Sequence, residues 1–311
     1  MEWKKAIEAY SFYLRLEQGL SDNTIESYQF DVNRLARYCE FLKRKNTPIS
    51  LQADTLKDFV FQLSKEVQPQ TQSRIVSGIK GFFVFLQLEG YRNDNPTQLL
   101  ELPKIRKTFP DTLSTSEVDA LIAGIDSKSK HAFRNCCMLE LLYSCGLRVS
   151  ELTKLNKSDL FFEKGLIRIR GKGDKLRWVP VAESTSTLIE NFLKGNRYQI
   201  AAKGYEDRLF LNNRGKELTR NMVFTIVKKA ALRADINKKI SPHTLRHSFA
   251  THLVENGADI QLVQHMLGHA SITTTERYIH MSQRHLKEAI TRFHPRQTKQ
   301  PSYGIPRHEC Y

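Results

Sequence analysis

The 311-residue sequence predicts a mainly α-helical protein of two domains, with one small antiparallel β-sheet in the second. Three observations carry that expectation. The first hundred residues show only the three-four spacing of apolar side chains that marks amphipathic helices. A proline-broken basic stretch, "NPTQLLELPKIRKTFPDTLS", then interrupts the pattern. Beyond it, β-rich runs separated by "KG" and "GKGDK" stand between two helical regions.

The opening stretch, "MEWKKAIEAYSFYLRLEQ", is an amphipathic helix with charges throughout, which argues against a signal peptide. In "SDNTIESYQFDVNRLARYCEFL" the apolar positions Ile25, Tyr28, Val32, Leu35, Cys39 and Leu42 line one face, and Ser21 suits the N-cap. "TLKDFVFQLSKEV" and "TQSRIVSGIKGFFVFLQLEG" add two more helices, the last ending at Gly90. The expected organisation is a helical domain over residues 1–102 and a linker over 103–112. A second domain over 113–295 and a polar, proline-broken tail over 296–311 complete it. In the second domain "STSEVDALIAGI" and "HAFRNCCMLELLYSCG" read as helices. "DLFFEKGLIRIRGKGDKLRWVPV" follows as three strands joined by tight turns, and helix returns from about 183 to 295.

The charge balance, 48 Lys and Arg against 33 Asp and Glu, leaves +15 and favours a polyanionic partner, nucleic acid before an acidic membrane surface. Arg34, Arg37, Arg74 and Lys80 fall on polar helix faces, where basic residues commonly just meet solvent; of these, Arg74 and Lys80 are the candidates for DNA contact. Lys104, Arg106 and Lys107 in the linker suit a phosphate backbone. The five cysteines are odd in number and lack CxxC spacing, so neither a disulfide framework nor a thiolate zinc site is expected. No uncharged apolar run approaches membrane-spanning length, and a soluble, cytoplasmic protein is the expectation.

The chemistry concentrates in "SPHTLRHSFATHL", residues 241–253. His243 and His247 stand four apart, as zinc ligands do on a helix, whereas His243 and Arg246 stand three apart, as suits a phosphate. Ser241 is a good N-cap and Pro242 a good first residue, which puts His243 and Arg246 in a first turn that favours anions. Leu245, Phe249 and Leu253 form the expected buried stripe. A zincin helix would carry Glu where Thr244 stands, and Arg246 would repel a divalent cation, so the metal reading is the weaker.

Further on, Gly268 ends a helix and leaves His269 at its C-terminus, and Thr273 with Glu276 forms a capping box for a helix carrying Tyr278. Upstream, Arg148 lies in a tight interhelical turn after Gly146; alone, Arg148 with Glu151 reads as a surface ion pair. Lys172 tops the hairpin turn "RGKGDK", and alone is an ordinary turn lysine.

Together the four segments "GLRVSEL", "GKGDK", "HTLRHSFATHL" and "LGHASITTTERY" resemble the tyrosine recombinase family, in its order and at its separations. The resemblance spans residues 1–295 and is strongest to the short Xer type. It implies a helical core-binding domain followed by a tyrosine recombinase catalytic domain. It further implies that Tyr278 is the nucleophile, giving a 3′-phosphotyrosine and a free 5′-hydroxyl. Arg148 and Arg246 would clamp the non-bridging oxygens, and Lys172 would protonate the departing 5′ oxygen. His243 and His269 would move protons and contact phosphate, and Glu151 would brace the arginine turn.

The resemblance implies no metal, no ATP and no other cofactor. The implied partners are duplex DNA bearing a specific recombination site, a tetrameric synaptic complex of one recombinase or two paralogues, and the septal DNA translocase FtsK. The implied task is chromosome-dimer resolution, with integration of a mobile element as the alternative. A zinc hydrolase, a non-catalytic DNA binder and a monomeric type IB topoisomerase are the rivals outside this class.

Overall fold

The computed structural model describes residues 1–42, 46–103, 111–171, 174–195, 200–268 and 283–298. The chain divides into two compact units, Met1–Thr108 and Phe109–Tyr311.

The first unit is built from α1 (Trp3–Leu16), α2 (Asp22–Phe41), α3 (Ala53–Glu66) and α4 (Pro69–Leu88). Pro69 opens α4, where its missing N–H costs nothing. Ile25, Val32, Leu35 and Cys39 are buried, so the apolar stripe read in α2 faces the core. Tyr10 of α1 meets the edge of Phe82 in α4 at 5.4 Å between ring centres. Asp31 is fully buried in α2 and is held by a two-pronged ion pair from Arg74, at 2.6 and 2.7 Å. A buried carboxylate is tolerated only with such a partner.

The second unit is organised around α6 (Ala132–Ser144), which is buried along nearly its whole length. A helix buried on every side belongs in the middle of a domain. Around it pack α5 (Thr115–Ala123), α8 (Glu183–Gly195) and α10 (Pro242–Glu255). α7 (Val149–Lys154), α9 (Arg220–Arg233) and α11 (Ile260–Leu267) complete the shell. The strands β1 (Leu160–Phe161), β2 (Leu166–Arg170) and β3 (Leu176–Pro180) form one antiparallel sheet in the order β1-β2-β3. Register pairs Ile167 with Val179 and Ile169 with Arg177.

The expected run of helix from 183 to 295 is interrupted. Residues 200–219 form turns in which Leu209, Phe210 and Leu211 are buried. Turn chemistry prevails there. The Asn212 side chain accepts from the Arg214 and Lys216 amides, and Gly215 takes φ +70° in a space that a Cβ would overfill.

Near the C-terminus, α12 (Gln283–Phe293) packs on β3 and α10, and a short turn of helix, α13 (Pro295–Thr298), follows. Arg296 is buried there, bonding Glu140 of α6 and Asp119 of α5. No helix among the described residues is long and apolar enough to cross a membrane.

His294 is fully buried between Tyr143 and Phe249, and its Nδ1 accepts the Arg296 amide at 3.1 Å. Burial first, then the charges of Arg296 and His252, push its pKa down to about 3. The unfolded chain binds a proton near pH 6.5 that the folded chain refuses, so stability falls as pH drops below that value. From pH 7 to pH 5 this one group should remove about 2 kcal/mol of stability. Urea titrations across that range should give His294→Asn a shallower pH dependence than wild type. An identical slope would show that His294 is not buried neutral.

Candidate functional site: an arginine cluster braced by one carboxylate

The site begins with two glycines. Gly146 follows α6 at φ +57°, where a Cβ would stand 2.5 Å from the Phe249 ring, so only glycine fits. The chain turns there and places Arg148 at the N-cap of α7. Gly268 ends α11 in the left-handed conformation, at φ +66°. On α10, Ser241 caps the helix and Pro242 opens it, as read from the sequence, and Leu245, Phe249 and Leu253 are buried. Arg246 is therefore carried inward on a rigid element.

Glu151 is the hub. Its carboxylate is buried and accepts the Arg148 amide at 2.8 Å and Arg148 Nη1 at 2.9 Å. Arg177 of β3 adds a fork, Nη1 to Oε1 at 2.7 Å and Nη2 to Oε2 at 2.8 Å. Arg246 Nη1 lies 3.9 Å from Oε2. Burial pushes the carboxyl upward, but the bonds and charge of Arg177 and Arg148 outweigh it and hold its pKa below the usual range. Glu151 is thus ionised, and with three guanidinium groups the cluster keeps a positive excess.

The three arginines also take three successive carbonyls at the end of α11. Arg177 Nε donates to Met266 O at 2.9 Å, Arg246 Nη2 to Leu267 O at 2.6 Å, and Arg148 Nη2 to Gly268 O at 3.2 Å. Arg246 Nη1 reaches Gly146 O at 2.6 Å. These carbonyls are the negative, unsatisfied end of a helix, and cations there are doubly favoured. Burial, with repulsion from Arg148, lowers the Arg246 pKa to about 10, still charged at neutral pH. The Arg148 side chain is 33% exposed, so this guanidinium is the most open to an anion. A recess of about 430 Å³ beside the cluster is lined by Glu151, Lys154, Arg168, Arg170, Asp174 and Arg208.

Arg148, Glu151 and Arg246, named from the sequence, thus meet in space. His243 is exposed in the first turn of α10. Lys172, His269 and Tyr278 lie outside the described residues, as do Lys104, Arg106 and Lys107. Arg74 is committed to Asp31, and Lys80 is half-buried on α4. Among the described residues no three His, Cys, Asp or Glu side chains group as metal ligands do. Sequence reasoning missed Arg177. Its signal was phase: in "LRWVP" it shares a strand face with buried Val179, an inward place for a charge.

The phage integrase family model matches residues 111–285, and that of the phage integrase N-terminal SAM-like domain matches residues 7–90. The chain belongs to the phage integrase family, as a tyrosine recombinase of the Xer type. It is 42% identical over 293 residues to the tyrosine recombinase XerD of Oceanobacillus iheyensis, covering 94% of this chain and 98% of that one. XerD of Listeria innocua is 38% identical over 292 residues, covering 93% and 98%.

Among solved structures, a XerH site-specific recombinase in a post-cleavage complex with a palindromic difH substrate superposes with a TM-score of 0.70. It is 25% identical, over 92% of this chain and 83% of that one. The Tn1549 transposon integrase in complex with circular intermediate DNA shares the fold, at TM-score 0.67 and 21% identity, over 91% of this chain and 98% of that one. The protein is an enzyme that cleaves and rejoins DNA at specific sites.

Proposed function

We propose that Arg148 and Arg246, braced by Glu151, receive the scissile phosphate of a duplex recombination site. The observation that carries this reading is the buried, ionised hub that aims two guanidinium groups from separate helices at one place. Preorganised cations of this kind stabilise the charge that builds on the non-bridging oxygens. Tyr278 attacks phosphorus: the Oη–P bond forms, the P–O5′ bond breaks, and a 3′-phosphotyrosine results. The phenol proton leaves to a base, with His243 and His269 the candidates, and Lys172 gives a proton to the departing 5′ oxygen. Reversal by another strand's 5′-hydroxyl reseals the DNA, so no ATP or metal enters any step.

The reading extends to domain roles: core binding by residues 1–102, a linker at 103–112 and catalysis from 113, with the tail read over 296–311 starting later than expected because Arg296 is buried against Glu140 and Asp119. Lys104, Arg106, Lys107 and Lys80 would contact the DNA backbone. The XerD naming of its relatives supports chromosome-dimer resolution; the proposal adds a tetramer on two sites, of this chain alone or with a paralogue, acting under the septal translocase FtsK. The transposon integrase among its structural neighbours keeps mobile-element integration as the second reading of the same chemistry.

The test is covalent trapping. Nicked duplexes randomised across the core are selected for binding, incubated with wild-type protein in EDTA, and resolved under denaturing conditions. A protease-sensitive adduct whose phosphopeptide maps to Tyr278 is expected. Binding without an adduct, an adduct on another residue, or loss of the adduct in EDTA would overturn the reading.

A further inference from the structure

We propose that Arg177 is a positioning residue for strand cleavage, sharing the charge of Glu151 that would otherwise compete with phosphate for Arg148 and Arg246, and tying β3 to the end of α11. The proposal rests on the reading of Arg148 and Arg246 above. Arg177 spans three elements with one side chain: its fork closes on both oxygens of Glu151, and its Nε holds the Met266 carbonyl. Its shaft lies flush on Gly268, where a Cβ would stand 3.1 Å from Arg177 Cδ. Its side chain is only 11% exposed, against 33% for Arg148, which makes direct contact with a DNA backbone the poorer reading.

The physical role follows from charge competition. Glu151 and a bound phosphate are both anions seeking Arg148 and Arg246. A buried carboxylate with too few partners draws every nearby cation onto itself. Arg177 occupies both Glu151 oxygens, so the Arg148 guanidinium gives only Nη1 to the carboxylate, while its Nη2 rests on the Gly268 carbonyl at an exposed edge. Arg177 also sits on the strand that returns from the hairpin turn holding Lys172 in sequence. The same side chain therefore fixes the hairpin base against the helix end that leads towards His269 and Tyr278.

The experiment is a double-substitution cycle on the duplex selected by trapping. Single-turnover cleavage, DNA affinity and Tm are measured for Arg177→Met, Arg177→Lys, Glu151→Gln and Arg177→Met with Glu151→Gln. Arg177→Met is expected to slow cleavage about 100-fold, the scale of a misplaced charge-stabilising group. DNA affinity should change by less than about threefold, because the steering charge is a small part of the whole. Adding Glu151→Gln should restore about tenfold over Arg177→Met alone, because a neutral amide no longer competes for the arginines. Arg177→Lys should remain at least about tenfold slow, because an ammonium cannot span the fork.

Cleavage by Arg177→Met within about threefold of wild type would overturn the proposal, as would strictly additive losses in the cycle, which mark a mere brace. Affinity falling in step with rate would instead mark a DNA contact and also overturn it. If Arg177→Met does not fold, Arg177→Lys against Arg177→Lys with Glu151→Gln completes the same cycle. If wild type forms no adduct, the reading of the site has failed. The anchoring of α11 is then judged in the free protein by hydrogen exchange at residues 265–268. Exchange there should rise at least about tenfold in Arg177→Met, and unchanged exchange overturns the proposal.

Discussion

Tyr278→Phe is expected to bind its duplex but leave no covalent adduct, with cleavage falling by at least about 10⁴-fold. The substitution removes one oxygen and little else. A phenol has a reference pKa of about 10, so at neutral pH it is a weak nucleophile until cations and a base favour its ionisation. Under the proposed function the arginine cluster would supply that positive field, whereas phenylalanine has nothing to ionise. The ring itself remains, so affinity should hold within about twofold of wild type. Trapping on the nicked duplex, with affinity read in parallel, checks both halves. A residual adduct in the variant would show that another side chain attacks, and the assignment of Tyr278 would fall.

Arg246→Lys is expected to slow cleavage about a thousandfold while leaving site binding nearly intact. The charge survives, but the geometry does not. Arg246 donates from one nitrogen to Gly146 O and from another to Leu267 O, both at 2.6 Å. A guanidinium can hold those two carbonyls and still present N–H groups to a phosphate. An ammonium has three donors on one atom and cannot span the same points. One carbonyl loses its charged partner, which should cost about 2 kcal/mol of stability. That loss lowers Tm by about 6 °C for a unit of this size, readable by thermal melting. It leaves nearly all molecules folded at 25 °C, so unfolding cannot explain a thousandfold change in rate. Rates within tenfold of wild type would exclude Arg246 from the phosphate clamp.

The local devices of the site were legible in the sequence because each is built from neighbours in the chain. "SPHT" announces a capped helix start, and "LGH" and "CGL" announce chain turns at residues that admit positive φ. The core stripe of α10 follows from four-residue spacing alone. The turns over residues 200–219 escaped that reading, although "NNRGKE" holds a turn signal, because flanking helical patterns outweighed it. Arg74 shows the opposite limit. On α4 it looks like a free basic residue for DNA, and only the fold brings Asp31 of α2 beneath it.

By itself the sequence determined the kind of chemistry available: a positively charged chain with arginine, histidine, lysine and tyrosine at recombinase spacing, and capped helices to carry them. Only the tertiary structure decided which groups share one electrostatic environment. Glu151 meets Arg148 three residues away, but it meets Arg177 across 26 residues, while Arg246 finds Gly146 across a hundred. Propensity and periodicity act over a few residues along the chain. Coulomb attraction and burial act through space, and a buried carboxylate selects its partners only after folding has brought them within reach.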